Sequence, residues 1–161
     1  MKITRRTLSL ALSALALSGC ASMAPAPTDI ADTAAHTPQL STLSRLIVDS
    51  GLGDTLRGTG PYTLYAPSDE AFKALPAKTL ADLAANKQML AAVLSYHIVP
   101  GRITAAETKT GSLQTAQGDK LAVSRAGDFV TVEDAVVQQA DVPATNGVVH
   151  IIDKVLMPPK K

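Results

Sequence analysis

The chain carries 15 Lys+Arg against 14 Asp+Glu over 161 residues, a formal net charge of +1. That balance lacks the strong basic excess of a nucleic-acid binder. A single cysteine allows no internal disulfide, so stability must come from the core; a chain of this size buries roughly two thirds of its unfolded surface.

Lys2, Arg5 and Arg6 form a basic leader ahead of the apolar stretch 8–17, which is too short to span a bilayer as a permanent helix. It ends in Leu17-Ser18-Gly19-Cys20, which resembles a bacterial lipobox: small residues before the cut, then a thiol that takes a diacylglyceryl group. Residues 1–19 are therefore read as a signal peptide, and Cys20 as the acylated start of the mature chain and its contact with the membrane. Each buried methylene of an acyl chain contributes about 0.8 kcal/mol, and a second chain makes anchoring stable. Ala21 rather than aspartate follows the cysteine, which by the same resemblance implies sorting to the outer membrane of a Gram-negative envelope. Thr4-Arg5-Arg6-Thr7-Leu8 also resembles a twin-arginine signal, beside the ordinary export route. Cleavage leaves 12 basic against 14 acidic side chains, a mature charge of about −2. Residues 20–28 then form an Ala/Pro tether reaching on the order of 25 Å.

The first half of the remaining chain reads as helical. Thr28 stands where it would cap a short helix running to Ala35. Thr37 and Pro38 offer an N-cap and an N1 proline for a second, with Leu40, Leu43, Leu46 and Ile47 on one face and Gly51 as its stop. Gly60-Pro61 turns into an aromatic strand, and Ala66-Pro67 leads to another helix start. There Ser68 is the N-cap, and Asp69 and Glu70 sit in the first turn, where the helix dipole favours negative charge. Thr79 is the expected cap of a helix containing Leu80 and Leu83. Asn86 caps the next, whose inward stripe is Met89, Leu90, Val93 and Leu94. That helix runs into a short strand and a turn at Pro100-Gly101.

From Ser112 onward the pattern changes to strands, expected at 113–116, 121–124, 129–132, 136–142 and 148–157. The last is so rich in branched apolar residues that it reads as covered on both faces, with Pro158-Pro159 ending its ladder. Asn146-Gly147 is a turn dipeptide, and Gly147 is expected to take a positive φ. Helices first and strands later argue an α+β domain with a mainly antiparallel sheet.

Residues 63–72 (TLYAPSDEAF), 94–101 (LSYHIVPG) and 145–153 (TNGVVHIID), in this order and spacing, closely resemble the fasciclin-type domain. The resemblance covers 29–158 and leaves 159–161 as a tail. Tyr62 and Tyr65 stand where that family usually carries phenylalanine, and Leu40 where an aromatic is common. The resemblance implies a β-wedge with several short helices packed along it. It also implies a non-catalytic role in adhesion, toward a protein or a matrix or glycan-associated partner.

In animal relatives a tyrosine-histidine pair flanked by branched apolar residues has been linked to integrin binding. By that resemblance Tyr96, His97 and Ile98 are candidate partner-contact residues. The residues themselves favour another role: Tyr96 packs, and His97 satisfies a buried backbone group. A pocket near Tyr96, His97 or Met89 would instead suit an envelope carrier of a small ligand or cofactor. His150 and Asp153 are three apart, which on a straight strand sends them to opposite faces and excludes a dyad within that strand. Asn146, Gly147, His150 and Asp153 are read as scaffold. The histidines, His36, His97 and His150, have no Glu-x-x-His or His-x-His spacing, so neither metal nor cofactor is expected. Ser50, Gly51 and Gly53 lack the spacing of a nucleophile elbow or a phosphate loop.

Overall fold

The computed structural model describes residues 28–159. The signal peptide, Cys20 and most of the tether lie outside the described residues, as do Lys160 and Lys161.

Helix α1 spans Ile30–His36, and its cap is Asp29 rather than Thr28: Asp29 Oδ1 accepts from the Asp32 amide at 2.8 Å. Thr28 serves elsewhere, its carbonyl accepting from Thr145 N at 2.9 Å. Pro38 opens a 3-10 turn (Pro38–Leu40) that leads directly into α2 (Ser41–Ser50); Thr37 makes no side-chain cap. The cap of α2 comes from a distant part of the chain. Asp69 accepts from Thr42 N at 2.8 Å and from Ser41 Oγ at 2.7 Å. Burial works to raise the Asp69 pKa, but these hydrogen bonds outweigh it and hold the carboxyl below its usual range. Gly51, at φ 77°, ends α2 in the left-handed cap that glycine adopts without a Cβ clash. Then come α3 (Gly53–Leu56), β1 (Tyr62–Pro67) and α4 (Asp69–Lys73), the last capped by Ser68 as expected. Helix α5 (Ala77–Ala85) starts behind Pro76, three residues earlier than a Thr79 cap would place it. Asn86 caps α6 (Lys87–Tyr96) by accepting from Gln88 N and Met89 N.

The strands are β2 (Ile98–Pro100), β3 (Gly111–Gln114), β4 (Lys120–Ala126), β5 (Phe129–Val132), β6 (Ala135–Ala144) and β7 (Gly147–Ile152). They form one sheet in the order β2-β1-β7-β6-β5-β4-β3. Only β1 and β7 run parallel; the other neighbours are antiparallel. The two ends of the sheet come together where Ala116 N donates to Ile98 O at 2.7 Å, so the sheet curls into a wedge.

Two cores follow from strand alternation. Leu64 of β1 and Val149 and Ile151 of β7 point to the helices, against Ile30, Leu43 and Leu94. Tyr65 and Ile152 point into the wedge, against Tyr96, Leu121, Val132 and Leu156. Both faces of β7 are thereby covered, and all six of its residues are buried. The strand nonetheless ends at Ile152, well before Pro158. Asp153 closes it by exchanging bonds with Val136 (Val136 N to Asp153 Oδ1, 2.7 Å; Asp153 N to Val136 O, 3.2 Å). The apolar residues beyond leave the sheet, and Leu156 plugs the wedge.

Gly147 does not have a positive φ. The turn residues are Thr145 and Asn146, because Ala144 already pairs with Gly147. Glycine is required for a different reason. A Cβ there would collide with the Tyr62 carbonyl oxygen on the parallel neighbour and lie 2.7 Å from Ile30 Cδ1. Since the obstacle is backbone, Gly147→Ala should cost about 3 kcal/mol. Denaturant unfolding, with the midpoint lowered and the slope unchanged, measures it.

Candidate functional site

Asn146 joins three segments. Its Oδ1 accepts from Ile30 N at 2.9 Å, and its Nδ2 donates to Leu56 O at 2.6 Å and Gly58 O at 2.9 Å. Its backbone carbonyl takes Tyr62 N at 3.0 Å. One carboxamide thus satisfies orphan groups at the start of α1 and the end of α3.

Tyr96, His97 and Ile98 are all buried, each at most 2% exposed. His97 Nδ1 lies 2.7 Å from Val93 O, and Leu156 N donates to His97 Nε2 at 2.9 Å. The ring is therefore the neutral Nδ1–H tautomer, one face of a latch between α6 and the segment after β7. Burial lowers its pKa to about 4, against the opposing effect of the Val93 hydrogen bond. Ile98 packs in the helix-side core.

His150 is the counterpart across the wedge. Its Nε2 donates to Ile103 O at 2.8 Å, and its Nδ1 accepts from Asp141 N at 3.2 Å. Thr63 Oγ1 takes the other backbone group of Ile103, accepting from its amide at 2.9 Å. The loop after β2 is thus held by both backbone groups of one residue, Ile103. Burial also pushes the His150 pKa down. Its ring stacks on Tyr65, centroids 5.4 Å apart, and burial pushes the Tyr65 phenol up to about 12. His150 and Asp153 form no dyad, since Asp153 serves Val136.

A groove of about 420 Å³ opens above the buried Tyr96, lined also by Lys120, Glu133, Lys154 and Met157. His97 does not line it, and Met89 lies in a separate shallow groove at the start of α6. The Tyr96 hydroxyl is 3.1 Å from Lys120 O and 3.3 Å from Glu133 Oε1. Its pKa rises to about 12, through burial first and then the Glu133 charge. Glu133 sits at φ 52°, and its Oε1 accepts the Ala122 N–H that a strand carbonyl would otherwise take. Asp141, at φ 57°, sits at a register shift within β6, and its Oδ1 accepts from Ala105 N. Sequence reasoning missed Thr63, Glu133 and Asp141. Each acts on a group at least 9 residues away, and none has a local pattern. No cluster of metal-ligating side chains occurs among the described residues.

Residues 38–158 match the sequence profile of the fasciclin domain. The chain belongs to the fasciclin family. One relative, protein sll1483 of Synechocystis, is 41% identical over 132 residues, which cover 81% of this chain and 73% of that protein. The cell surface glycolipoprotein MPB83 of Mycobacterium bovis is 39% identical over 135 residues, 81% of this chain but 60% of its own length. Among solved structures, the FAS1 domain pair of the insect cell adhesion molecule fasciclin I superposes with a TM-score of 0.63 at 19% identity. That match covers 81% of this chain and 51% of the insect chain, and shows the shared fold. The expected α+β wedge is the fasciclin fold, with the parallel β1–β7 pair contributing to both of its cores.

The two buried histidines should make this fasciclin domain acid-sensitive. Unfolded histidine titrates near 6.5 and folded His97 near 4, so between those values the unfolded chain binds more protons. Stability should hold above pH 6.5, fall by on the order of 3 kcal/mol as pH drops toward 4, and level off in this contribution below that. His150 acts in the same direction. Denaturant unfolding across this range is the measurement, and His97→Gln should both lower neutral-pH stability by about 1–3 kcal/mol and flatten the dependence by roughly one proton.

Proposed function

We propose that the chain is a non-catalytic binding module of the cell envelope, held on a membrane by an acylated Cys20 and exposing residues 29–158 on a short tether. The observation that carries this reading is how the polar side chains singled out above are used. Asn146, His97, His150, Asp153 and Thr63 all satisfy backbone groups of their own chain. Neither histidine is paired with a carboxylate that could orient it for proton transfer. A fold that spends its buried polar groups on its own loops acts through its surface.

Two relatives support an extracytoplasmic place: one is named a cell surface glycolipoprotein, and the neighbouring fold belongs to a cell adhesion molecule. In this reading Tyr96, His97 and Ile98 shape the domain from beneath rather than touch the partner. The sequence around Cys20 supports lipidation, and Ala21 supports the outer membrane in a Gram-negative envelope. A second reading, a small-ligand carrier, draws on the groove at Tyr96, whose volume lies within the range of ligand pockets.

Anchoring is tested by Cys20→Ser. The variant should accumulate uncleaved or appear in the soluble fraction, while the unaltered chain sediments with membranes. A processed Cys20→Ser protein that still sediments would overturn lipid tethering.

A further inference from the structure

The joint at Asn146-Gly147 is also a chemically reactive pair. An asparagine followed by glycine can close on itself: the glycine amide nitrogen attacks the side-chain carbonyl carbon, and the carboxamide nitrogen leaves as ammonia with the displaced proton. Water then opens the five-membered succinimide at either carbonyl, giving aspartate or isoaspartate. Glycine favours the step, because it has no Cβ to obstruct the attack and the widest backbone freedom. The chain's other asparagine, Asn86, precedes Lys87 instead.

In the folded domain, ring closure must break the contacts that make the joint. Attack needs the glycine nitrogen aligned with the carboxamide carbon at near-contact distance. The Asn146 carboxamide is tied down on both sides: Oδ1 takes Ile30 N at 2.9 Å, and Nδ2 donates to Leu56 O at 2.6 Å and Gly58 O at 2.9 Å. The main chain is no freer. The Asn146 carbonyl takes Tyr62 N at 3.0 Å, and the buried Gly147 is paired with Ala144 of β6 and Tyr62 of β1. The Tyr62 carbonyl stands so close to Gly147 that even a Cβ has no room there.

The products do not suit the fold. An aspartate carboxylate offers no N–H, so an oxygen would face the Leu56 and Gly58 carbonyls, acceptor against acceptor. Isoaspartate routes the main chain through the side-chain methylene, lengthening it just where Tyr62 and Gly147 come into register. The fold cannot dispense with either residue, since the carboxamide joins α1 to α3 and the glycine admits Tyr62.

We propose that Asn146 is a modification site gated by folding: it is protected in the native domain, deamidates when the domain opens, and thereafter keeps the chain from regaining full stability. The proposal depends on neither the anchor nor a partner. The test holds the detergent-purified full chain in mildly alkaline buffer, with and without guanidinium chloride above the unfolding midpoint. Mass spectrometry of the tryptic peptide 126–154, in which Asn146 is the sole asparagine, follows conversion. The same peptide incubated alone in both buffers corrects for what denaturant does to the chemistry. Conversion should be at least about tenfold slower in the folded chain, because only the open population reacts. After dilution from denaturant, converted chains should fall in the fraction that a brief protease pulse digests, and unconverted chains in the resistant fraction. Asn146→Asp should lower the unfolding midpoint or abolish folding. Conversion as fast in the folded chain as in the unfolded one, converted chains as resistant as unconverted ones, or an unchanged midpoint for Asn146→Asp would each overturn the proposal.

Discussion

The close approach of two parallel strands at Gly147 is the constraint on which the wedge depends. β1 and β7 are distant in sequence and run in the same direction, so no hairpin can hold them in register. Their alignment is set at one end, where Tyr62 lies beside Gly147 and Tyr62 N bonds Asn146 O. The absence of a Cβ lets the Tyr62 carbonyl and Ile30 close over the strand. The Asn146 carboxamide, one residue earlier, collects the free ends of α1 and α3 at the same point. Register, helix packing and the entry of the chain into the domain are thereby decided together. Arg57 spans the same region to Asp29 and Asp32, but that exposed pair, at 3.5 Å or more, is screened by solvent and adds little.

A strand buried on both faces raises a second demand. The segments that close the wedge, the loop after β2 and the chain beyond β7, cross the core without ladder partners of their own. Unpaired backbone groups there would each cost about 1–3 kcal/mol. Neutral imidazole suits the task because it both donates and accepts, and each histidine serves two segments at once. Glu133 at the β5–β6 turn and Asp141 at the irregularity within β6 solve the same problem by standing in for backbone groups, each at a positive φ that costs roughly 1–2 kcal/mol. The polar interior is a set of backbone repairs.

With the interior so committed, the side chains left unengaged lie on the outside. The helix side of the domain is charged and mixed, whereas the outward face of β3–β6 is neutral and carries its most exposed aromatic.

Local physics was readable in the chain itself. Ser68, Asn86 and Gly51 act as caps where their residue types predict, because capping depends only on the next few peptide groups. The double-sided burial of β7 was legible from its branched apolar run. Long-range partners decided the rest. Thr28 loses the α1 cap to Asp29 while its carbonyl holds Thr145, and Asp69 caps α2 across 27 residues. Gly147 is glycine for want of space rather than for φ, since the atom it must avoid belongs to a strand more than 80 residues away. Periodicity could place Phe129 on a strand, but only the register of four strands shows that its neighbours are uncharged. Sequence determines what each segment prefers; tertiary structure determines which backbone groups and which surfaces those preferences bring together.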